Sequence, residues 1–316
     1  MSETIKIGVS ACVLGEKVRY DGSHERDLYL TETLAKYVEF IPFCPEIACG
    51  MSVPREKVRQ IDCGGKIKLI GQDSGEDWSD RMDRWCTKVL PGLESEKLSG
   101  FVFRSRSPSC ALRQSTIFST TGKPPKKGPG FFASRAIKMF PLFPVEASER
   151  LHNPLLRENF IRRVFVFSRW QRLESKGKKI GELVDFHNRH KMIIRSHDLR
   201  GYRQLGKLFG ESSVFNNEEI FDAYSSLLFK SLSLKATPKK NAEVLKHALR
   251  FIQKDLPKDD SSELLGMINA YKSGRIPLLV PITIINHYAR KLDQSYLRQQ
   301  YFLNPHPSEL KLLNHV

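Results

Sequence analysis

The sequence predicts an α/β protein: a Rossmann-like domain with an open, mostly parallel sheet, followed by an all-α helical domain. Three observations carry this prediction. Over roughly the first 145 residues, short apolar runs alternate with segments of helical spacing. From about Leu155 the spacing is helical, punctuated by Pro238, Pro257, Pro277 and Pro305. All six cysteines (Cys12, Cys44, Cys49, Cys63, Cys86 and Cys110) fall in the first 110 residues, and the remaining 206 have none. The expected divisions are a first domain at 1–150, a connecting segment at 151–180 and a helical domain at 181–316.

The elements follow in order. Ile5 to Ala11 is a short buried strand. Leu28 to Val38 has helical spacing. Phe40 to Phe43 is a second strand. Lys66 to Ile70 is a third, and its lysines suggest an edge. Trp78, Met82, Trp85, Cys86, Val89 and Leu93 fall on one helical stripe. Gly100 to Phe103 is a further strand. Gly122 to Gly130, rich in Gly, Pro and Lys, reads as an exposed basic loop outside regular structure. Six helices are expected after it: Leu183 to Phe209, Ile220 to Leu234, Ala242 to Leu256, Ser261 to Ser273, Pro281 to Arg290, and Ser295 to Tyr301.

Composition excludes several classes. Forty per cent hydrophobic and 10% aromatic residues exclude a mainly disordered chain. No run of about 18 apolar residues exists, which excludes a membrane-spanning helix; no membrane partner is expected. Met1-Ser2-Glu3-Thr4 is polar and acidic, with no basic leader or apolar core after it, which argues against secretion. The default compartment is the cytoplasm, where cysteines serve as thiols or metal ligands more often than as disulfides. The net charge is +16, unevenly spread. Residues 1–100 carry 14 bases and 17 acids, residues 101–200 carry 21 and 7, and residues 201–316 carry 16 and 11. Such a field favours a polyanion, nucleic acid or an anionic membrane surface; the plainer reading is a solvated basic face.

Three cysteines share a place relative to local structure. Cys12 follows the first strand, Cys44 the second, and Cys110 lies shortly after Gly100 to Phe103. In an open parallel sheet, residues just past the carboxyl ends of strands gather in one crevice. Three thiolates lacking a fourth ligand suit an iron–sulfur cluster with one open iron, or a catalytic zinc. The alternative is three unrelated buried thiols. Cys86 reads as core, Cys63 as part of a Cys-Gly-Gly turn, and Cys49 has no assigned role. Glu46 beside Cys44 can move a proton or be a helix-end acid. Ser107 and Ser109 can act in a site or cap a turn. Arg19 and Asp21 can bind a ligand or form a structural ion pair.

Taken together, Ser10-Ala11-Cys12-Val13-Leu14-Gly15, Val18-Arg19-Tyr20-Asp21-Gly22, Cys44-Pro45-Glu46, Pro54-Arg55 and Ser107-Pro108-Ser109-Cys110 resemble the thiouracil desulfurase family over about residues 5–145. The later chain resembles the helical domain of two-domain desulfidases acting on 4-thiouridine in tRNA. It does so through Phe186 to Lys191, Asn241 to His247, Gly274 to Pro281 and Pro305-His306-Pro307-Ser308-Glu309-Leu310. The resemblance implies a 4Fe-4S cluster held by Cys12, Cys44 and Cys110 with one iron left open. It implies catalytic roles for Glu46 and Ser107 and substrate contacts from Arg19, Tyr20, Asp21, Arg55 and Ser109. The implied reaction is hydrolytic loss of sulfur from a thiocarbonyl as hydrosulfide, without net redox change. Departures occur at Ala111, where the family has Gly, and in Ile47-Ala48-Cys49-Gly50-Met51. They occur also in Lys127 to Phe132, where a Gly- and Arg-rich stretch is expected.

Candidate RNA contacts are Lys123, Lys126 and Lys127 in the basic loop, Arg189, Lys191, Arg195 and Arg203 on the first long helix, and Lys239 and Lys240. His187 and His190 lack an evident third ligand, so RNA contact or capping is favoured over zinc. Tyr202 and Tyr224 can stack on bases or sit in the core. Three functions remain: a desulfidase acting on tRNA, the same chemistry on free thiouracil or a thiolated uridine nucleotide, or a non-catalytic RNA-binding protein. The basic half of the chain favours RNA over a free base. Glu46 beside three thiols favours an enzyme over a binding module.

Overall fold

The structure, a computed structural model, describes residues 4–210, 216–307, 310 and 312–314. Ser308 and Glu309 of the expected helical-domain motif, like the first three residues, lie outside the described residues. The chain divides into two units, Met1–Asn153 and Pro154–Val316.

The first unit holds two four-stranded sheets. One contains β1 (Ile5–Ser10), β2 (Val38–Phe43), β5 (Leu98–Phe103) and β8 (Val145–Ala147) in the order β2-β1-β5-β8, all parallel. β5 is buried at all six positions, as its apolar run requires in a covered parallel sheet. Phe101 stacks on Phe103 at 4.4 Å, and both meet Phe132 edge-on. Each such ring removed from water contributes about 1.5–3 kcal/mol. The other sheet contains β3 (Val58–Cys63), β4 (Lys66–Gly71), β6 (Ser115–Ser119) and β7 (Lys126–Gly128) in the order β4-β3-β6-β7. β3 and β4 form a hairpin whose two turn residues, Gly64 and Gly65, both have positive φ, as a tight right-twisted turn demands. β4 is an edge strand, as its lysines indicate. Helices α1 (Pro45–Ala48), α2 (Ser79–Val89), α3 (Gly92–Ser95) and α4 (Phe131–Met139) complete the unit.

The second unit is helical: α5 (Pro154–Glu174), α6 (Ile180–His197), α7 (Leu199–Gly210), α8 (Asn217–Ser233), α9 (Pro238–Leu249), α10 (Lys258–Lys272), α11 (Leu279–Lys291) and α12 (Ser295–Arg298). Its core centres on Trp170, which stacks with Tyr224 and meets Phe186, Phe221 and Phe229. Arg162 and Glu158 form a buried ion pair one helical turn apart. Among the described residues no helix is long and apolar enough to cross a membrane.

Four local expectations are corrected. The basic loop is not wholly irregular: Lys126–Gly128 pairs antiparallel with β6, because its prolines lie outside the three paired residues. The long helix at 183–209 is two helices, broken where Asp198 turns extended and its carboxylate accepts the Arg200 N–H at 2.9 Å. Leu28 to Val38 forms a π-helical turn and a 3-10 turn over 29–36 rather than an α-helix. Most of the segment at 151–180 is α5, the first helix of the second unit.

Candidate active site

Each cysteine of the expected trio sits where a strand of the parallel sheet ends. β1 leads directly into a 3-10 turn, Ala11–Leu14, that carries Cys12. Gly15 at φ 101° closes that turn, a conformation open to glycine at no steric cost. β2 ends at Phe43, and Cys44 is the N-cap of α1. Pro45 presets the first helical residue, and the N–H groups of Glu46 and Ile47 face the Cys44 sulfur. β5 ends at Phe103, and the following loop brings back Cys110. Within that loop Oγ of Ser107 accepts from the N–H groups of Ser109 (3.2 Å) and Cys110 (3.0 Å). The start of α4 grips the same loop: the N–H groups of Phe131 and Phe132 donate to the carbonyls of Pro108 and Ser109 at 2.8 and 3.0 Å. Gly130 lies so close that a Cβ there would stand 2.5 Å from the Ser109 carbonyl carbon.

β1 lies between β2 and β5, so the chain leaves β1 toward one neighbour and later returns to the other. A crevice opens at such a reversal of strand order. Here it is a cleft of about 370 Å³ lined by Cys12, Cys44 and Cys110 together with Glu46, Arg55 and Ser107. Burial pushes the Cys12 thiol up to about 11, opposed by the charge of Arg104. Burial also raises Cys44, against the pull of the α1 N–H groups. Cys110 is pushed well above its ordinary value by burial, then by Glu46, Cys12 and Cys44. The three sulfurs therefore share one electrostatic environment in which free thiolates are disfavoured.

Glu46 is held from both sides. Its Oε2 accepts from Nε and Nη2 of Arg55 at 3.1 and 2.5 Å, and its Oε1 accepts from the Ser109 hydroxyl at 2.8 Å. Arg55 also donates to the carbonyls of Val18 and Ser52. Arg55 and Ser109 are thus bonded to Glu46, and Ser109 is fully buried behind it. Arg19 and Tyr20 line the cleft. Arg19 pairs with Glu25 at 3.1 Å, not with Asp21. Asp21 accepts from Ser23 and does not line the cleft.

Several cleft residues escape the sequence reading, among them Arg104, Lys57, Arg59 and Phe118. Arg104 follows β5 directly, where the strand-end rule applied to the cysteines reaches it; its guanidinium is held by Glu25. Lys57 immediately precedes β3, and Arg59 and Phe118 lie on β3 and β6 of the second sheet, neither of which is expected from the sequence. Lys57 lies 4.9 Å over the Tyr20 ring and Arg59 lies 5.9 Å over Phe118. Neither cation meets a carboxylate among the described residues.

The expected RNA contacts divide. Arg189 and Arg203 are exposed, as are Lys123, Lys127 and Lys239, whereas Lys191 and Arg195 are half-buried. Lys126 is exposed but bound to Asp62 at 2.7 Å. Lys240 donates to the carbonyls of His197 and Lys235, closing helix ends. His187 and His190 are neither RNA contacts nor caps. Both are buried, His187 against the Tyr224 hydroxyl at 3.0 Å and His190 donating to the Phe186 carbonyl at 2.7 Å. Tyr224 is core. Cys86 is core as expected, and Cys49 donates to the Glu46 carbonyl at 3.2 Å.

Among the described residues, no three His, Cys, Asp or Glu side chains are grouped to hold a single metal ion. A cubane cluster makes a different demand, since each thiolate binds a separate iron at a separate corner. Three soft sulfur donors from three loops, on one cleft and short of a fourth, fit that group.

Residues 7–148 match the family model described as 2-thiouracil desulfurase, and residues 191–307 match one described as a protein of unknown function, DUF1722. The chain is 32% identical over 110 residues to the uncharacterized protein YbbK of Bacillus subtilis, covering 32% of this chain and 70% of that one. It is 26% identical over 151 residues to the uncharacterized protein YbgA of Escherichia coli, covering 48% of this chain and 89% of that one. A solved structure of the 4Fe-4S-dependent thiouracil desulfidase TudS aligns with a TM-score of 0.38 and 26% identity, over 47% of this chain and 94% of that one.

Proposed function

Since the chain belongs to the 2-thiouracil desulfurase family, we propose that it is an iron–sulfur-dependent desulfidase that removes sulfur from 4-thiouridine in tRNA, leaving uridine and hydrosulfide. The observation that carries this reading is the meeting of Cys12, Cys44 and Cys110 with Glu46 on one cleft. In this reading Met1–Asn153 is the catalytic domain, Pro154–Val316 binds tRNA, and the protein works in the cytoplasm.

The three thiolates would hold a 4Fe-4S cluster, which when bound would supply a Lewis-acidic iron with an affinity for soft thiocarbonyl sulfur. The protein's own groups do the rest. Water forms the new C–O bond at the ring carbon, the C–S bond breaks, and sulfur leaves as hydrosulfide with no change of oxidation state. Glu46 takes the proton that water gives up, and Arg55 and Ser109 hold the carboxylate while it does so. The Ser107 oxygen already accepts two N–H groups, which leaves its O–H to hold the water at the cleft wall. Arg55 and Ser109 are positioning residues, whereas Arg19 and Tyr20 line the path by which a base enters.

RNA as the carrier is supported by charge. Residues 154–316 hold 28 Lys and Arg against 16 Asp and Glu. A second reading, a free thiolated uridine nucleotide, is favoured by Lys57 and Arg59, whose unpaired charges suit a single phosphate at the cleft itself. The two are separated by anaerobically prepared full-length protein offered tRNA containing 4-thiouridine and, separately, 4-thiouridine monophosphate. Hydrosulfide release and loss of the thionucleoside from digested tRNA are followed. A higher kcat/KM on intact tRNA is expected. A higher value on the nucleotide moves the second reading first, and no hydrosulfide from either substrate overturns both.

A further inference from the structure

In the second unit the rings of His247, Phe251 and Tyr296 meet near the surface. Phe251, in the turn after α9, is 38% exposed, and its ring lies 4.7 Å from that of Tyr296 on α12. The His247 ring on α9 meets Phe251 edge-on at 5.3 Å. Tyr202 on α7 lies under the guanidinium of Arg195 from α6, 5.9 Å from its centroid. Arg195 acts electrostatically on both Tyr296 and His247, and Arg250, next to Phe251 in the chain, acts on His247. Neither Arg195 nor Arg250 meets a carboxylate among the described residues. On α9 Glu243 pairs with Lys246, and just before α12 Asp293 pairs with Arg298.

A ring left over a third exposed gains only part of the benefit of burial, and a cation beside it gains no ion pair. A ligand with flat π faces and regularly spaced negative charge satisfies both at once. Single-stranded nucleic acid has that form: its bases stack on aromatic rings and its phosphates pair with arginines. The excess of cations over acids in this unit points to the same partner.

We propose that Phe251 and Tyr296 form a base-stacking platform for an unpaired stretch of RNA, with Arg195 and Arg250 on the adjoining phosphates. The proposal rests on the reading of RNA as substrate, but its test measures binding and not turnover. Full-length protein is titrated with a labelled single-stranded oligouridylate, with heparin as a polyanion lacking bases, and with anionic phosphatidylglycerol vesicles. The Phe251→Leu/Tyr296→Leu pair keeps apolar volume and removes the rings, so RNA affinity falls by about tenfold or more while heparin binding is unchanged. Phe251→Trp keeps RNA affinity, and the new indole is quenched when RNA binds. Arg195→Gln and Arg250→Gln weaken RNA and heparin together, each lowering the salt slope of RNA binding by about 0.7. RNA affinity unchanged in the double Leu variant overturns the proposal. So does an equal loss of RNA and heparin binding, or a loss confined to vesicles. Should the protein release no sulfur from any substrate while the double variant still fails on RNA, the platform stands and the desulfidase reading falls.

Discussion

The Ser109 hydroxyl donates a 2.8 Å hydrogen bond to Oε1 of Glu46 across 63 positions of sequence. That bond ties the loop carrying Cys110 to the helix following Cys44, so two of the three thiols and the carboxylate are set by one contact. Ser109→Ala removes it without altering any cysteine. kcat should fall about tenfold, the scale of one hydrogen bond to a charged group, with iron content retained. An unchanged kcat would mean that Arg55 alone fixes the carboxylate.

Glu46→Gln keeps the shape of the side chain and loses its capacity to take a proton. Turnover should fall by about 10² or more, the usual scale for a missing general base, while iron and sulfide analysis matches the unmodified protein. Turnover within a few-fold of that of the unmodified protein would reduce Glu46 to a residue that orients Arg55.

Anaerobically prepared protein should carry about four irons per chain. Cys12→Ser, Cys44→Ser and Cys110→Ser should each lose most of the iron and the visible absorbance. Cys63→Ser and Cys86→Ala should keep both, since Cys63 ends β3 and Cys86 packs in the core. Stoichiometric zinc in place of iron would sink the cluster assignment.

Gly130→Ala places a methyl group against the Ser109 carbonyl and the Cys110 N–H. Overpacking of that kind costs about 1–3 kcal/mol, and urea unfolding should show it. The displaced loop should also lower iron content. A variant of full stability and full iron content would mean that α4 shifts without moving the loop.

Burial holds His187 down to about 4, His197 down to about 3, and His190 well below 6.5. In the unfolded chain each titrates near 6.5. Below that pH the unfolded chain binds protons that the folded one refuses, so the stability conferred by each neutral ring is complete above about 6.5 and is lost as pH falls. The slope is roughly 1.4 kcal/mol per pH unit for each histidine. Urea unfolding between pH 6.5 and 5 should show this steepening, and His187→Phe should make it shallower by about one proton. A flat profile over that range would contradict buried neutral histidines.

Apolar periodicity marks the α/β and helical halves and the strand ends at Phe43 and Phe103, and it runs the first strand to Ala11, one residue beyond its end at Ser10. The sequence by itself also determined that three thiols follow those strands. These features are local: apolar periodicity selects strand or helix, and parallel pairing then brings the carboxyl ends together whatever the loops contain. Only the tertiary structure decided what those loops do. Nothing near Ser109 announces that its hydroxyl reaches Glu46, or that Gly130 must lack a side chain, because both depend on the approach of segments that are distant in the chain. The wall of Lys57, Arg59 and Phe118 was illegible for the same reason. β3 and β6 are short, and they pair across 50 or more residues, so their common face exists only once the second sheet has formed. His187 and His190 read as surface chemistry from spacing alone. Tertiary packing buried them, because α6 presents that face to Tyr224 and the aromatic core, where desolvation keeps both rings neutral.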